Sequence, residues 1–231
     1  MADETTATAD DAEAPEVDEV NEHQLAVLTD SLGDALVASH VAKGALIVRV
    51  TREAWATAHE IARERLGARF FDFLSAIDWM PSPWGRYEDA TVDVGLIRPD
   101  PANAEIVTGY AGGDTRFQVF SRLVNVRRHT AVVLKVDVPD DDLSVPTITH
   151  VYAGANWHER ECWEMYGITF PGHPSLRHLY LPGGFEGHPL RKDFPLLARL
   201  VKPWPGIVDV EPMPATADGA ESDTDGEGGD S

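Results

Sequence analysis

Three histidines, His173, His178 and His188, follow three carboxylates, Glu159, Glu161 and Glu164, within one short stretch. Such a set could ligate a metal ion or exchange protons with a substrate. The spacings argue against the metal. No pair of histidines falls four apart on one helical face, His158-Glu159 lacks the second histidine of HExxH, and Pro174 and Pro189 directly follow His173 and His188. These rings are therefore expected to hydrogen-bond a backbone or an acid. The carboxylates have a structural alternative as well. Arg160 and Glu164 are spaced to pair along a helix, and Asn156 with Glu159 fits a capping box. Consecutive helical residues point to different faces, so Glu161 is free to meet the sheet or the following strap rather than water. The loops GxxxxGK[ST], GxGxxG and GxSxG are all absent, which removes the usual nucleotide and hydrolase sites. No catalytic centre is expected. The rival reading is a free-standing enzyme using Glu159, Glu161 and His173.

The elements that must hold these residues can be read from periodicity. Leu25, Leu28, Leu32 and Leu36 make one apolar face, predicting a helix over 22–40. ALIVRV, Ala45 to Val50, reads as a buried strand. A helix follows, with Thr51 as its cap and Gly67 as its stop. RFFDFLSAIDWM (69–80), ATVDVGLIR (90–98), RFQVFSRLV (116–124) and AVVLKVDV (131–138) read as four strands in a meander. The expected class is α+β: a mostly antiparallel sheet with helices packed on one face. A third helix, WHERECWEMY after Asn156, closes at Gly167.

Beyond it, FPGHPSLRHLYLPGGFEGHPLRKDFPL (Phe170 to Leu196) repeats F-x-G-H-P, and its prolines leave no regular element. A long segment without secondary structure inside a compact domain tends to be functional or bound to something. It carries too much apolar surface, with Phe170, Tyr180, Phe185, Leu190 and Phe194, to stay in water. Its own domain or another subunit could cover it, and the small globule already has a sheet and three helices to bury. The partner is the favoured reading. Between Phe170 and Lys202 two acids, Glu186 and Asp193, face five bases, Arg177, Arg191, Lys192, Arg199 and Lys202. Arginines beside aromatic anchors suit an interface. The arm is expected to be separable, so that deletion from Phe170 onward leaves the domain folded.

Of the 231 residues, 43% are hydrophobic and 25% charged, enough for one core. The net charge of −20 is concentrated at the ends. Nine acids lie in 1–22 and eight in 207–231, with no Lys or Arg in either, leaving −3 between. That balance steers toward neither nucleic acid nor anionic lipid. The expected division is a disordered acidic tail over 1–21, the α+β domain over 22–154, the helix with its extended arm over 155–206, and a second disordered acidic tail over 207–231. Cys162 is the only cysteine, so this chain alone forms no internal disulfide and cannot ligate an iron–sulfur cluster. The first residues lack the pattern of a secretion signal, and no apolar run approaches ~20 residues. A soluble, cytoplasmic chain is expected.

The stretch from Ala155 to Leu196 resembles the signature of the C subunit, the 30-kilodalton subunit, of proton-pumping NADH:quinone oxidoreductase, respiratory complex I. Trp157, Glu159, Arg160, Glu161, Tyr166, Gly167, Phe170, Gly172, His173, Pro174, Leu176 and Arg177 match its first part. Gly187, Pro189, Leu190, Arg191, Lys192, Asp193 and Pro195 match its second. The chain departs at Glu164, where the pattern has Asp, at His178, where it has a second Arg, and at Cys162, where an apolar residue is common. The resemblance implies a peripheral-arm subunit at the cytoplasmic face of the bacterial membrane, without flavin, cluster or quinone of its own. FMN, iron–sulfur clusters and quinone would sit in other subunits. The arm would lie against the quinone-site (D) subunit, near the cluster-bearing (B) subunit and the I subunit. The expected inter-subunit residues are Glu159, Arg160, Glu161, Phe170, His173, Arg177, Phe185, His188, Leu190, Arg191, Lys192, Asp193 and Phe194.

Overall fold

The computed structural model describes residues 14–81 and 106–194 of the chain. In chain order these form α1 (Ala14–Leu32), a short 3-10 turn (Gly33–Ala35), β1 (Leu36–Ala42), β2 (Ala45–Val50), α2 (Trp55–Glu64), β3 (Phe70–Asp78), β4 (Phe117–Asn125), β5 (Thr130–Val138) and α3 (Ala155–Tyr166). The segment 90–98, both acidic ends as far as residue 13 and from residue 195, and the bases Arg199 and Lys202 lie outside the described residues.

The five strands form one sheet in the order β1-β2-β5-β4-β3. β2 runs parallel to β5, and the remaining pairs are antiparallel. The sheet is therefore mixed, where a mostly antiparallel meander was expected. Adjacent strands in sequence need not pair: α2 carries the chain away from β2, and β5 returns to take the central place beside it. A second correction concerns the first helix, which stops at Leu32 and not at residue 40. Gly33 has φ +53° and opens the 3-10 turn, and from Leu36 the predicted helix is replaced by β1. β1 and β2 join through Lys43 and Gly44, at φ 52° and 73°, the geometry of a tight hairpin turn. At its other end α1 begins at Ala14, so 14–21 is helical where a disordered tail was expected.

One face of the sheet is apolar. Leu46, Val48 and Val50 pair in register with Val132, Leu134 and Val136, and all are buried. α2 covers this face with Trp55, Ala58 and Ala62, and its fully buried His59 bonds Ser121 of β4 at 2.6 Å. Thr51 does not cap α2; the cap position is Ala54, without a side-chain bond. The opposite face carries buried polar groups that hold the glycine-rich loop 109–114. Arg49 bonds Asp137 (2.5 Å) and Asp114 (2.7 Å), Gln118 bonds Asp137 (2.6 Å), and the Lys135 ammonium bonds the Tyr110 carbonyl (2.8 Å). α3 lies along the edge strand β3, where His158 meets the amide and carbonyl of Leu74.

Candidate functional site

α3 begins after Gly154 without any side-chain cap. Glu159, expected in a capping box, is instead fully buried: its oxygens accept from Thr147 Oγ1 (2.5 Å) and the Ile148 amide (2.7 Å). Burial pushes its pKa up to about 7, against the pull of those two bonds. Phe170 is likewise 1% exposed and packs in the core. Both residues are committed inside the chain's own fold, so neither is the outward interface residue that was expected. A Glu159 sealed in this way also cannot meet a substrate at the surface. Deletion from Phe170 onward would remove this core side chain, which argues against the separable arm that was expected.

The helix stops where Gly167 adopts φ 75° and its amide bonds the Trp163 carbonyl at 3.0 Å. From there the chain doubles back. Thr169 and Pro171 pair with 143–147, through Thr169 N to Leu143 O (2.8 Å) and Thr147 N to Pro171 O (3.1 Å). His173 then reaches the first turn of α3. Its Nε2–H donates to the Asn156 carbonyl (3.2 Å) and its Nδ1 accepts the Ser175 amide (3.0 Å). Both ring nitrogens are thus occupied, and burial, helped by the Arg160 charge, lowers its pKa.

The strap next runs along α3 toward its C-terminus. Arg160 donates to the carbonyls of Arg177 and His178, each at 3.0 Å, and stacks its guanidinium over Trp157. Glu164 accepts the amides of Leu179 (3.1 Å), Tyr180 (2.9 Å) and Leu181 (2.8 Å), together with Nδ1–H of His178 (2.9 Å). Burial alone would raise the Glu164 pKa; the four donors outweigh it and hold the carboxyl below its ordinary range. The expected Arg160–Glu164 pair is absent because each side chain is spent on strap backbone.

The last carbonyls of α3, which lack partners within a helix, are also taken by the strap. Those of Glu164, Met165 and Tyr166 accept His188 Nδ1–H (2.9 Å), the Leu190 amide (3.2 Å) and Arg191 Nε–H (2.6 Å). Finally, the strap is latched to the sheet. Asp78, at the end of β3 with a side chain 0% exposed, receives Arg116 in a bidentate pair (2.9 and 2.7 Å) and the Lys192 amide (2.8 Å). Asp193 adds an ion pair to Arg116 at 3.1 Å. Arg116 and Arg191 both lie over the Phe117 ring.

The strap is thus held mainly by its backbone, and several side chains remain outside. Tyr180 is 62% exposed, Leu190 46% and Phe185 38%, with Phe185 stacked on Phe194; Trp157 on α3 is 64% exposed. Arg177 and Lys192 are exposed, and Glu161 is half-buried. The chain's own domain therefore covers the strap's backbone and leaves these side chains exposed. Among the described residues no cluster of three or more His, Cys, Asp or Glu stands where it could share a metal ion. Cys162 is buried in the core. Sequence reasoning missed Asp78 and Arg116 and misread Glu164. The available signal was an acid closing the apolar run of β3, and a carboxylate four residues after Arg160.

The chain is a mixed α+β domain that fixes an extended strap largely by backbone contacts and turns several apolar side chains outward. Comparison with known proteins gives the family. Residues 48–199 match the family described as "Respiratory-chain NADH dehydrogenase, 30 Kd subunit", and the chain belongs to it. It is 36% identical over 154 residues to the C/D subunit of NADH-quinone oxidoreductase from Serratia proteamaculans (strain 568), across 62% of this chain and 26% of that protein. It is 37% identical over 155 residues to the C/D subunit from Cronobacter sakazakii (strain ATCC BAA-894), with the same 62% and 26%. The chain spans about a quarter of the length of these relatives. The same fold occurs in a chain of the membrane-bound sulfane sulfur reductase, an archaeal respiratory membrane complex, with TM-score 0.53 and 18% identity over 76% of this chain and 86% of that one. Among the described residues, no helix is long and apolar enough to cross a membrane.

Proposed function

We propose that this chain is a non-catalytic peripheral-arm subunit of a proton-pumping NADH:quinone oxidoreductase, and that its strap grips the quinone-site (D) subunit beside the B and I subunits. Electron transfer from NADH to quinone belongs to the assembly; FMN, clusters and quinone sit in other chains. This one keeps its neighbours in register at the cytoplasmic face of the membrane, which it contacts only through the complex. The observation that carries the reading is the outward set Tyr180, Phe185 and Leu190 on a strap whose backbone is bonded to α3 at 177–181 and at Leu190. Exposed apolar groups beside arginine and lysine are the composition of an interface core. The C/D relatives, which join C and D in one name, support the quinone-site subunit as the neighbour. The test is to replace Tyr180 and Leu190 together by Asp and to run membranes on a native gel. The complex is expected to lose this subunit and its NADH:quinone activity while the purified variant keeps its circular dichroism. Normal incorporation of that variant would refute the docking reading.

A further inference from the structure

The fold raises a question the docking reading leaves open: whether the strap takes its shape on meeting a partner or brings that shape with it. Its turn at 177–181 buries little. Tyr180 is 62% exposed, and Leu179 and Leu181 are only half-buried. What holds the turn is Glu164, a residue 3% exposed, bonded to three successive amides and to His178. Arg160, one helical turn earlier, holds the two carbonyls just before those amides. A carboxylate this deep needs donors, and losing them would leave a buried charge unpaired. The bond network is therefore closed within this chain.

We infer that the strap is a prefolded docking element, with Glu164 as the positioning residue that sets its shape, and that it fits an apolar concavity rimmed by carboxylates. This rests on the docking reading above. The partner's chemistry follows from what the prefolded turn presents. Tyr180 and Leu190 project outward as apolar anchors, and Arg177 and Lys192 are exposed beside them. Asp193 is already paired with Arg116, and the exposed Glu186 offsets only one of the two exposed bases, which leaves the presented charge basic by one. A rigid template avoids the entropy of ordering a loop at the moment of binding, so the contact is gained at lower cost.

The test is hydrogen exchange on the free full chain, with the amides of Leu179, Tyr180 and Leu181 as the readout. In the wild-type chain they are expected to exchange more slowly than in Glu164→Ala by about tenfold or more, the effect of losing one bond to a charged group. Glu164→Asp is expected to restore part of that protection, and the amides of β4 and β5 to stay unchanged. A role in general stability alone would instead move β4 and β5 with the turn. The second readout is capture of the full chain by complex purified without this subunit. Glu164→Ala is expected to slow association, since the turn must now be ordered on contact. Exchange of these three amides at free-peptide rates in the wild-type chain overturns the inference, whatever Glu164→Ala does and whether or not the complex captures the chain. Protection without capture would refute the docking reading and leave the positioning role of Glu164 supported.

Discussion

Replacing Glu159 by Gln offers a test of the core beneath the strap, because its outcome depends on pH with a defined sign. Glu159 is fully buried between Thr147 Oγ1 and the Ile148 amide, and burial pushes its pKa from 4.5 up to about 7. Between those values the native chain keeps a proton that the unfolded chain has lost. Stability from this group is thus full below pH 4.5 and falls as pH rises to about 7. The window corresponds to about 3 kcal/mol. His59 acts in the opposite direction. Burial lowers its pKa from 6.5 to about 4, so stability is lost as pH falls across that range, also by about 3 kcal/mol. In the wild-type chain the two slopes oppose each other and the profile is shallow. Gln cannot titrate, yet its carbonyl can accept the Ile148 amide and its NH2 can donate to Thr147. The variant should therefore show the His59 slope alone. The assay is urea unfolding of the full chain from about pH 5 to about pH 8. The stability of Glu159→Gln relative to wild type should climb steadily toward pH 7. A difference that stays constant across that range refutes a buried, protonated Glu159.

Gly167→Ala would place a methyl 2.5 Å from Arg191 Nη2 and 2.6 Å from His188 Nε2, at a backbone φ of 75°. About 1–2 kcal/mol of left-handed strain adds to that clash, so 188–194 should become protease-sensitive while the sheet stays resistant; an unchanged cleavage pattern would contradict the latch. Asp78→Ala leaves Arg116, whose side chain is 20% exposed, without its buried partner and frees the Lys192 amide. A cost of about 2–4 kcal/mol is expected in urea unfolding, somewhat below that of breaking a fully buried pair; a loss under about 0.5 kcal/mol, the level of an ordinary surface change, would show that the pair does not hold the sheet end. Burial opposes ionisation of Asp78 most strongly, but Arg116 and the Lys192 and Met80 amides together hold its pKa below the usual range. Its contribution is therefore present above the unfolded value near 3.8 and lost as pH falls through the lower folded one, an acid-side slope that Asp78→Ala should abolish.

Much of this architecture could be read from the chain itself. The runs that became β2 to β5 are rich in β-branched and aromatic residues, and Gly167 ends α3 with the left-handed φ that glycine allows; α2 instead stops at Glu64 with Arg65 at its cap, three residues before Gly67. The prolines ruled out regular structure after α3. What escaped depends on partners distant in sequence. Asn156 and Glu159 have capping-box spacing, but Thr147 and Ile148 offer Glu159 a buried alternative that no local pattern reveals. The place of β5 beside β2 is set by packing, since an apolar run carries no mark of its neighbour. Glu164 and Arg160 had the spacing of a surface ion pair, and only the path of the strap turns both inward. The strap's dual character was hidden for the same reason: its apolar content was plain, but not which side would hold the backbone.

The central claim is most directly tested by placing a photoreactive residue at Tyr180 and illuminating cells that carry the assembled complex. The account predicts a cross-link from that position to the quinone-site subunit, identified by mass spectrometry. Cross-links confined to this chain's own α3 and sheet, in a complex that has assembled normally, would contradict it.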